Sequence, residues 1–116
     1  MKFLMTYAAK ERTAPPTPEH MAAIAKFTEE MAKSGILLMT GGLVRPSTGT
    51  KIRMAGGKFA VTDGPFAETK ELIDGFALVQ TKSRQEAIDV AERFMRIAGD
   101  GDGEILQVFD PSDGPR

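Results

Sequence analysis

Two amphipathic helical segments, each lying between short apolar segments, constrain the fold of this chain more than any other feature. The first begins at Pro18, which tolerates a missing N–H at the first helical position and which Thr17 can cap. The second begins after Ser83, because a serine with Glu86 three residues later forms a capping box. Apolar residues recur at three- to four-residue spacing in both segments and a glycine follows each, which predicts two helices packed on a sheet.

Six short apolar segments around these helices are predicted to form β-strands. They are bounded by glycine, proline and polar turn residues, and apolar side chains dominate each of them. The predicted strands are Lys2–Ala9, Ile36–Met39, Thr50–Met54, Lys58–Thr62, Gly75–Gln80 and Glu104–Phe109.

The pair Gly56-Gly57 lies between two of these segments and predicts a β-hairpin. Because side chains alternate along a strand, one face of the hairpin is expected to turn toward the core and the other away from it. The expected core side carries Ile52, Met54, Phe59 and Val61, and the other side carries Lys51, Arg53 and Lys58.

The order of the predicted elements indicates an α+β fold. Without the hairpin, the chain has the βαββαβ plan of a ferredoxin-like sheet with both helices on one face. We therefore predict a ferredoxin-like fold with an inserted β-hairpin. Such a sheet leaves one apolar face bare, and a second copy stacked on it is the simplest cover. We expect a homodimer with a barrel-like core between the two sheets.

Composition and charge exclude several classes of function. Fifteen Lys and Arg against sixteen Asp and Glu leave a net charge of −1, so we expect no direct contact with nucleic acid. The chain contains no cysteine, which excludes a disulfide, a thiolate nucleophile and a Cys-ligated metal. With a single histidine as well, we predict neither a metal site nor a cofactor.

The length of 116 residues favours one domain, predicted at residues 1–110 and followed by a polar tail at 111–116. The apolar run Met1–Tyr7 at the start is too short for a signal peptide or a membrane span. We therefore expect a cytoplasmic protein without membrane contact.

A specific motif connects the hairpin to the next predicted strand. The run Val61–Glu71 reads VTDGPFAETKE, and Gly41-Gly42-Leu43 before it and Ile73–Phe76 after it fit the same pattern. On the basis of these residues, the chain resembles the DGPF branch of the YCII-related family. The resemblance extends from the first strand to about Asp110.

The resemblance implies a dimeric α/β barrel in a family whose biochemical activity is poorly established. The family includes stand-alone proteins and domains associated with extracytoplasmic-function sigma factors, so a sigma-factor association is implied by the resemblance alone. Relatives outside this branch pair a His early in the first helix with an Asp after the second strand. Residues 41–62 contain no Asp here, so that dyad is not carried over.

Asp63 and His20 are the two candidate catalytic residues. Asp63 begins the corner Asp63-Gly64-Pro65-Phe66, and this composition favours a structural turn over a chemical role. In the alternative, the corner holds Asp63 at the mouth of a cleft. His20 is the only imidazole, and its place in the first turn of a helix is also typical of a solvated surface residue.

We expect a cleft between the helix face, the hairpin and the Asp63 corner, suited to a small organic ligand that can be anionic. Arg53 is the best candidate to pair with an anion. A cofactor-free enzyme is the first alternative, with Asp63 or His20 moving a proton and Arg53 or Lys70 stabilising negative charge. An accessory protein to a transcription factor is the second, and whether the chain is an enzyme stays open. The candidate ligand-binding residues are Tyr7, Arg53, Asp63, Phe66, Glu68, Lys70 and Glu71.

Overall fold

The computed structural model describes residues 1–10, 16–44, 49–65 and 73–113. In these ranges two helices combine with antiparallel strands, which confirms the predicted α+β class. The elements are β1 (Lys2–Ala9), α1 (Pro18–Lys33), β2 (Leu37–Gly42), β3 (Thr50–Ala55), β4 (Lys58–Asp63), β5 (Gly75–Gln80), α2 (Arg84–Ala98) and β6 (Gly101–Gln107), with a short 3-10 turn at Pro111–Asp113.

Both helices begin at the predicted capping residues. The Thr17 hydroxyl accepts the backbone N–H of His20 at 3.1 Å, and the Ser83 hydroxyl accepts that of Glu86 at 3.1 Å. Caps of this kind stabilise a helix by about 1 kcal/mol. After α1 the chain turns at Gly35, whose φ of 83° lies in the left-handed region that glycine adopts without strain.

β1, β2, β5 and β6 form one antiparallel sheet in the order β2-β5-β1-β6. This order is compatible with the predicted ferredoxin-like plan, because β1 lies between the two strands that pair with it and α1 and α2 connect strands within the sheet. β2 continues to Gly42, beyond its predicted end at Met39. Its register shifts between Leu37 and Met39.

β6 starts earlier than the sequence predicts and leaves the sheet after Gln107. The predicted strand start at Glu104 is wrong, because the strand begins at Gly101. A Cβ at Gly101 would meet the main-chain oxygen of Ala8, and one at Gly103 would meet that of Thr6. Glycine at these positions lets β6 approach β1 closely enough to pair along its whole length.

The helices cover one face of the sheet and form the core with it. Phe3 and Val79 lie side by side on neighbouring strands, and both are nearly fully buried together with Ala87 of α2. A second buried cluster consists of Phe27 and Met31 of α1 with Val90 of α2. Burying a large apolar side chain contributes about 1.5–3 kcal/mol, so these clusters hold the helices on the sheet.

The opposite face of the sheet is uncovered in the single chain. Side chains alternate along each strand, so the neighbours of Phe3 and Val79 point away from the helices. On this opposite face, four apolar side chains form a row with one member on each strand. The two on the edge strands, Leu106 and Met39, are 50% and 59% exposed. We call this surface the open face and define it by Met39, Leu78, Leu4 and Leu106.

β3 and β4 form a separate two-stranded sheet, which we call the arm and define as residues 50–63. Ile52 pairs with Val61 and Met54 with Phe59, so the prediction that these four side chains share one face of the hairpin is confirmed. The expectation that this apolar face turns toward the core was wrong, since these four side chains are 56–68% exposed. The reason is that, within the described chain, the arm packs extensively only against itself.

Candidate ligand-binding site

A cavity of about 790 Å³ lies between the two helices and the covered face of the sheet. Its walls come from β1, β2, β5, β6, α1 and α2, and most of its lining is apolar. Ile24, Phe27, Phe94 and Met95 contribute helix side chains, and Met5 contributes from the central strand. A volume of this size falls within the range of about 300–1,000 Å³ that is usual for small-molecule sites.

The cavity exists because the side chains under the helices become smaller along the sheet. At one end of the covered face, Leu37, Val79 and Phe3 lie next to one another and fill the space. At the other end, the corresponding row across the four strands reads Gly42, Gly75, Tyr7 and Gly103. Three glycines in that row leave room beneath the helices that no side chain occupies.

Tyr7 is the one large side chain in the glycine row, and several contacts fix it. Its hydroxyl donates to the backbone oxygens of Gly99 at 3.0 Å and Asp100 at 3.3 Å. Its ring meets Phe94 edge-on, with 5.4 Å between centroids. Burial, followed by the negative charges of Asp74 and Asp100, raises the pKa of the Tyr7 phenol. The phenol is therefore protonated at neutral pH and acts as a hydrogen-bond donor.

Asp74 lies at the same end of the cavity and joins three strands. Its N–H donates to the Tyr7 oxygen at 2.7 Å, and its own backbone oxygen accepts the N–H of Leu43 at 2.8 Å. Its carboxylate accepts the N–H of Ala9 at 2.6 Å. In the sequence, Asp74 stands out only as part of the family motif. The available signal was an Asp directly before a glycine that starts a strand, a place where a carboxylate can bond backbone donors.

His20 also lines the cavity, and it is partly buried. It is the third residue of α1, after the proline that starts the helix. α1 begins where β1 ends, which puts its first turn at the same end of the sheet as Tyr7 and Asp74. The structure thus brings together the only imidazole of the chain, a phenol and a carboxylate on the wall of one cavity.

The other predicted site residues lie elsewhere or outside the described residues. Arg53 and Asp63 belong to the arm and do not line this cavity. Phe66, Glu68, Lys70 and Glu71 lie outside the described residues. Among the described residues, the cavity is therefore bounded by helices and sheet rather than by the hairpin and Asp63, because the arm does not pack on the helix layer.

Asp63 has a clear contact at the base of the arm. Its carboxylate accepts the hydroxyl of Thr50 at 2.7 Å, and the two residues are paired across the hairpin. The following N–H, that of Gly64, donates to the backbone oxygen of Gly49 at 2.9 Å. Among the described residues, the carboxylate thus bonds a cross-strand hydroxyl instead of the corner's own backbone donors.

Charge in the cavity is acidic as far as the described lining extends. Asp74 belongs to the lining, while no described Lys or Arg does. Glu104 borders the cavity as well, but the register of β6 turns its side chain toward the open face. Within the part of the chain that the structure describes, no three or more His, Asp and Glu residues are grouped to hold a metal ion. Neither described helix is long and apolar enough to cross a membrane.

A family model described as the YCII-related domain matches residues 1–110 of this chain. The chain belongs to the YCII-related family. A curated relative, an uncharacterised protein of Rhizobium meliloti (strain 1021), is 35% identical over 71 residues, which are 61% of this chain and 57% of the relative. The match therefore spans little more than half of that relative's length, and its name carries no activity to this YCII-related chain.

Proposed function

We propose that this YCII-related protein binds a small, mainly apolar organic molecule in the cavity between its helices and its sheet. The observation that carries the proposal is the cavity of about 790 Å³ with mostly apolar walls and a few polar groups, Tyr7, His20 and Asp74 among them, in its lining. Sites of this composition hold a ligand by apolar contact and orient it by a small number of hydrogen bonds. Tyr7, His20 and Asp74 are the residues that would orient it.

The ligand's polar end is proposed to be neutral or cationic rather than anionic. An anion beside Asp74 would be repelled by a like charge in a partly desolvated space, and Asp100 adds a second negative charge near Tyr7. The expectation of an anionic ligand depended on Arg53, which lies on the arm and not on the cavity. An alcohol or an amine on an apolar body fits the described lining better.

Three probes of one shape test this proposal: cyclohexanemethanol, cyclohexanemethylamine and cyclohexanecarboxylate. Tyr7 is the only tyrosine and the chain has no tryptophan, so protein fluorescence reports directly on a residue of the cavity. We expect the alcohol and the amine to change the Tyr7 signal saturably, and the carboxylate to bind at least about tenfold more weakly, or 1.4 kcal/mol. Tighter binding of the carboxylate, or no saturation with any probe, would contradict the proposal.

A matched pair of variants locates the binding. Ala91 of α2 lines the cavity, whereas Ala23 of α1 is exposed and does not line it. Ala91→Leu should fill part of the cavity and abolish probe binding while the protein stays folded, and Ala23→Leu should leave probe binding unchanged. Equal binding in both variants would place the probe outside the cavity.

A cofactor-free enzyme is the second candidate, favoured by the presence of His20 on the cavity wall. In such an enzyme the imidazole moves a proton, and the Tyr7 hydroxyl, whose own proton is donated to the Gly99 oxygen, accepts a hydrogen bond from the substrate. His20→Gln retains a polar side chain but cannot carry a proton at neutral pH. In a binding module this variant should weaken the affinity for cyclohexanemethanol only a few-fold, because Gln can still form a hydrogen bond to the ligand, whereas an enzyme would lose turnover of a bound molecule detected by mass spectrometry in the parent protein.

We also propose that the protein is a homodimer in which a second copy covers the open face, and a dimer is also what the family resemblance implies. The apolar row of Met39, Leu78, Leu4 and Leu106 supports this, because a continuous apolar surface on a sheet is costly to leave in water. An accessory role beside a sigma factor rests on the resemblance alone. The cavity favours ligand binding over a function by contact only.

A further inference from the structure

The arm presents an apolar face with nothing to cover it in the single chain. Ile52, Met54, Phe59 and Val61 are paired across the two strands and are 68%, 66%, 60% and 56% exposed. An isolated two-stranded hairpin is at best marginally stable in water. A hairpin with four large apolar side chains on one face therefore needs a surface to pack on.

The molecule as a whole is more extended than a compact domain of similar length. The radius of gyration is 16.4 Å, against about 13 Å for a compact domain of about 100 residues. Within the described chain, β3 and β4 make extensive contacts only with each other. The chain's own helices and sheet thus do not supply the missing surface.

The open face is the apolar surface of this chain that matches the arm in size. A six-residue strand is about 20 Å long, and four strands with a spacing of about 4.8 Å make a sheet roughly 15–20 Å wide. The row that crosses the open face contains Met39, Leu78, Leu4 and Leu106. An arm laid across it brings two apolar sheet faces together, which is how sheets stack in protein cores.

Charge around the two surfaces is complementary. The reverse face of the arm carries Lys51, Arg53 and Lys58, with no acidic residue. On β6, Asp102 and Glu104 share the side of Leu106, because they alternate with residues that face the helices. When the apolar face of the arm is packed, these basic side chains point to solvent, so the arm can lie on the open face without burying a positive charge, and their sign favours approach to a surface that carries Asp102 and Glu104.

We infer that the arm of each copy packs its apolar face on the open face of a second copy, so that two copies exchange arms about a two-fold axis. The inference rests on the homodimer proposed above and goes beyond it, because it names the two surfaces that meet. One chain carries both an uncovered apolar arm and an uncovered apolar sheet face. In a two-fold dimer the same contact between arm and open face occurs twice, and together the two contacts cover both arms and both open faces.

Three glutamate variants test the exchange, each measured by sedimentation equilibrium over a range of protein concentrations. Ile52→Glu changes the apolar face of the arm, Leu106→Glu changes the open face, and Arg53→Glu changes the reverse face of the arm as the matched control. We expect Ile52→Glu and Leu106→Glu each to raise the dissociation constant of the dimer at least about 100-fold. Arg53→Glu should raise it only a few-fold.

The changed side chains are exposed in the single chain and lie away from the core beneath the helices, so each variant should keep the helical circular dichroism signal of the parent. The absence of cysteine allows a second measurement with one spin label at Ile52→Cys or at Arg53→Cys. We expect an immobilised label at position 52 and a mobile label at position 53. A dimer that dissociates in Leu106→Glu but not in Ile52→Glu, with equally mobile labels, would overturn the exchange and leave the homodimer intact. A monomeric parent would overturn the homodimer itself.

Discussion

The two faces of the four-stranded sheet both carry rows of large apolar side chains, yet they differ in what covers them. On the helix side, Phe3 and Val79 are 2% and 1% exposed. On the open face, Leu106 and Met39 at the two edges are 50% and 59% exposed. The difference arises from the connections and not from the strands, because both helices cross the same face. When both faces of a sheet carry apolar side chains, helices of the same chain can cover one face, and the other face needs a partner to cover it.

The covered face also contains the cavity, and this distinguishes its two ends. Large side chains fill the end around Phe3, while glycines beside Tyr7 leave the other end open. Close packing at the first end stabilises the fold, whereas the second end is less closely packed and encloses the cavity. On the proposals made above, one sheet has three separate tasks: stability at one end of the covered face, ligand binding at the other end, and association on the open face.

The largest expected effect comes from breaking the covered face. Phe3→Ala should lower the free energy of unfolding by about 3–5 kcal/mol, because it removes a fully buried ring and leaves a cavity. Leu106→Ala on the open face should cost less, and its cost should grow with protein concentration if a second copy covers that side chain. Chemical denaturation at two protein concentrations checks both variants. An equally large, concentration-independent loss in Leu106→Ala would contradict the distinction between the faces.

Two alanine substitutions in the row of Gly42, Gly75, Tyr7 and Gly103 should distinguish a closely packed glycine from a glycine with open space beside it. A Cβ at Gly103 would meet the main-chain oxygen of Thr6, so Gly103→Ala should destabilise the protein by about 1–3 kcal/mol. A Cβ at Gly42 would come no closer than 3.9 Å to the Asp74 oxygen, which is ordinary contact. Gly42→Ala should therefore stay within about 0.5 kcal/mol of the parent in thermal or chemical unfolding. Equal losses in both variants would show that the row is packed evenly.

A smaller effect is expected at the base of the arm. Asp63→Ala removes the acceptor of the Thr50 hydroxyl and should cost about 1 kcal/mol or less, because the contact is exposed. Asp63→Asn retains an acceptor oxygen and should cost less than Asp63→Ala. Since Asp63 does not line the cavity, both variants should bind cyclohexanemethanol like the parent. Loss of binding in both variants with unchanged stability would instead make Asp63 part of the site.

The smallest effect concerns Tyr7 and pH. Its pKa is raised by burial and by the charges of Asp74 and Asp100, so the folded state holds the phenol proton more tightly than the unfolded state. The resulting stabilisation is complete below the pKa of about 10 that a tyrosine has in an unfolded chain, and it is lost as the pH rises through the higher folded value. Phenolate absorbance of this single tyrosine measures the titration. A midpoint at or below that of the unfolded chain would contradict the described surroundings of Tyr7.

Much of the fold can be predicted from local sequence. The features that cannot be predicted in this way all depend on contacts between distant parts of the chain. Thr17, Ser83 and the pair Gly56-Gly57 act within a few residues of their own positions, so both helix starts and the hairpin could be predicted. The early start of β6 depends on how closely it approaches β1, which is a contact between distant parts of the chain. The arm's orientation is equally non-local, so its apolar face was assigned to a core that it does not reach.

The site could be predicted only in part for the same reason. Tyr7 and His20 were identified as candidates, and both line the cavity. The cavity itself depends on the row of Gly42, Gly75, Tyr7 and Gly103, which forms only when four strands take their register. Asp74 belongs to the site because hydrogen bonds hold it at the ends of β1 and β2, and no spacing in the sequence indicates those hydrogen bonds.

The most direct test of the account is the mass of the parent protein in solution. If the open face and the arm are surfaces that a second copy covers, sedimentation equilibrium at micromolar concentration should give twice the chain mass of 12.5 kDa. The mass should fall toward that of one chain only on strong dilution. A well-folded particle of 12.5 kDa that persists across the concentration range would contradict the claim that the two uncovered apolar surfaces exist for a second copy of this chain.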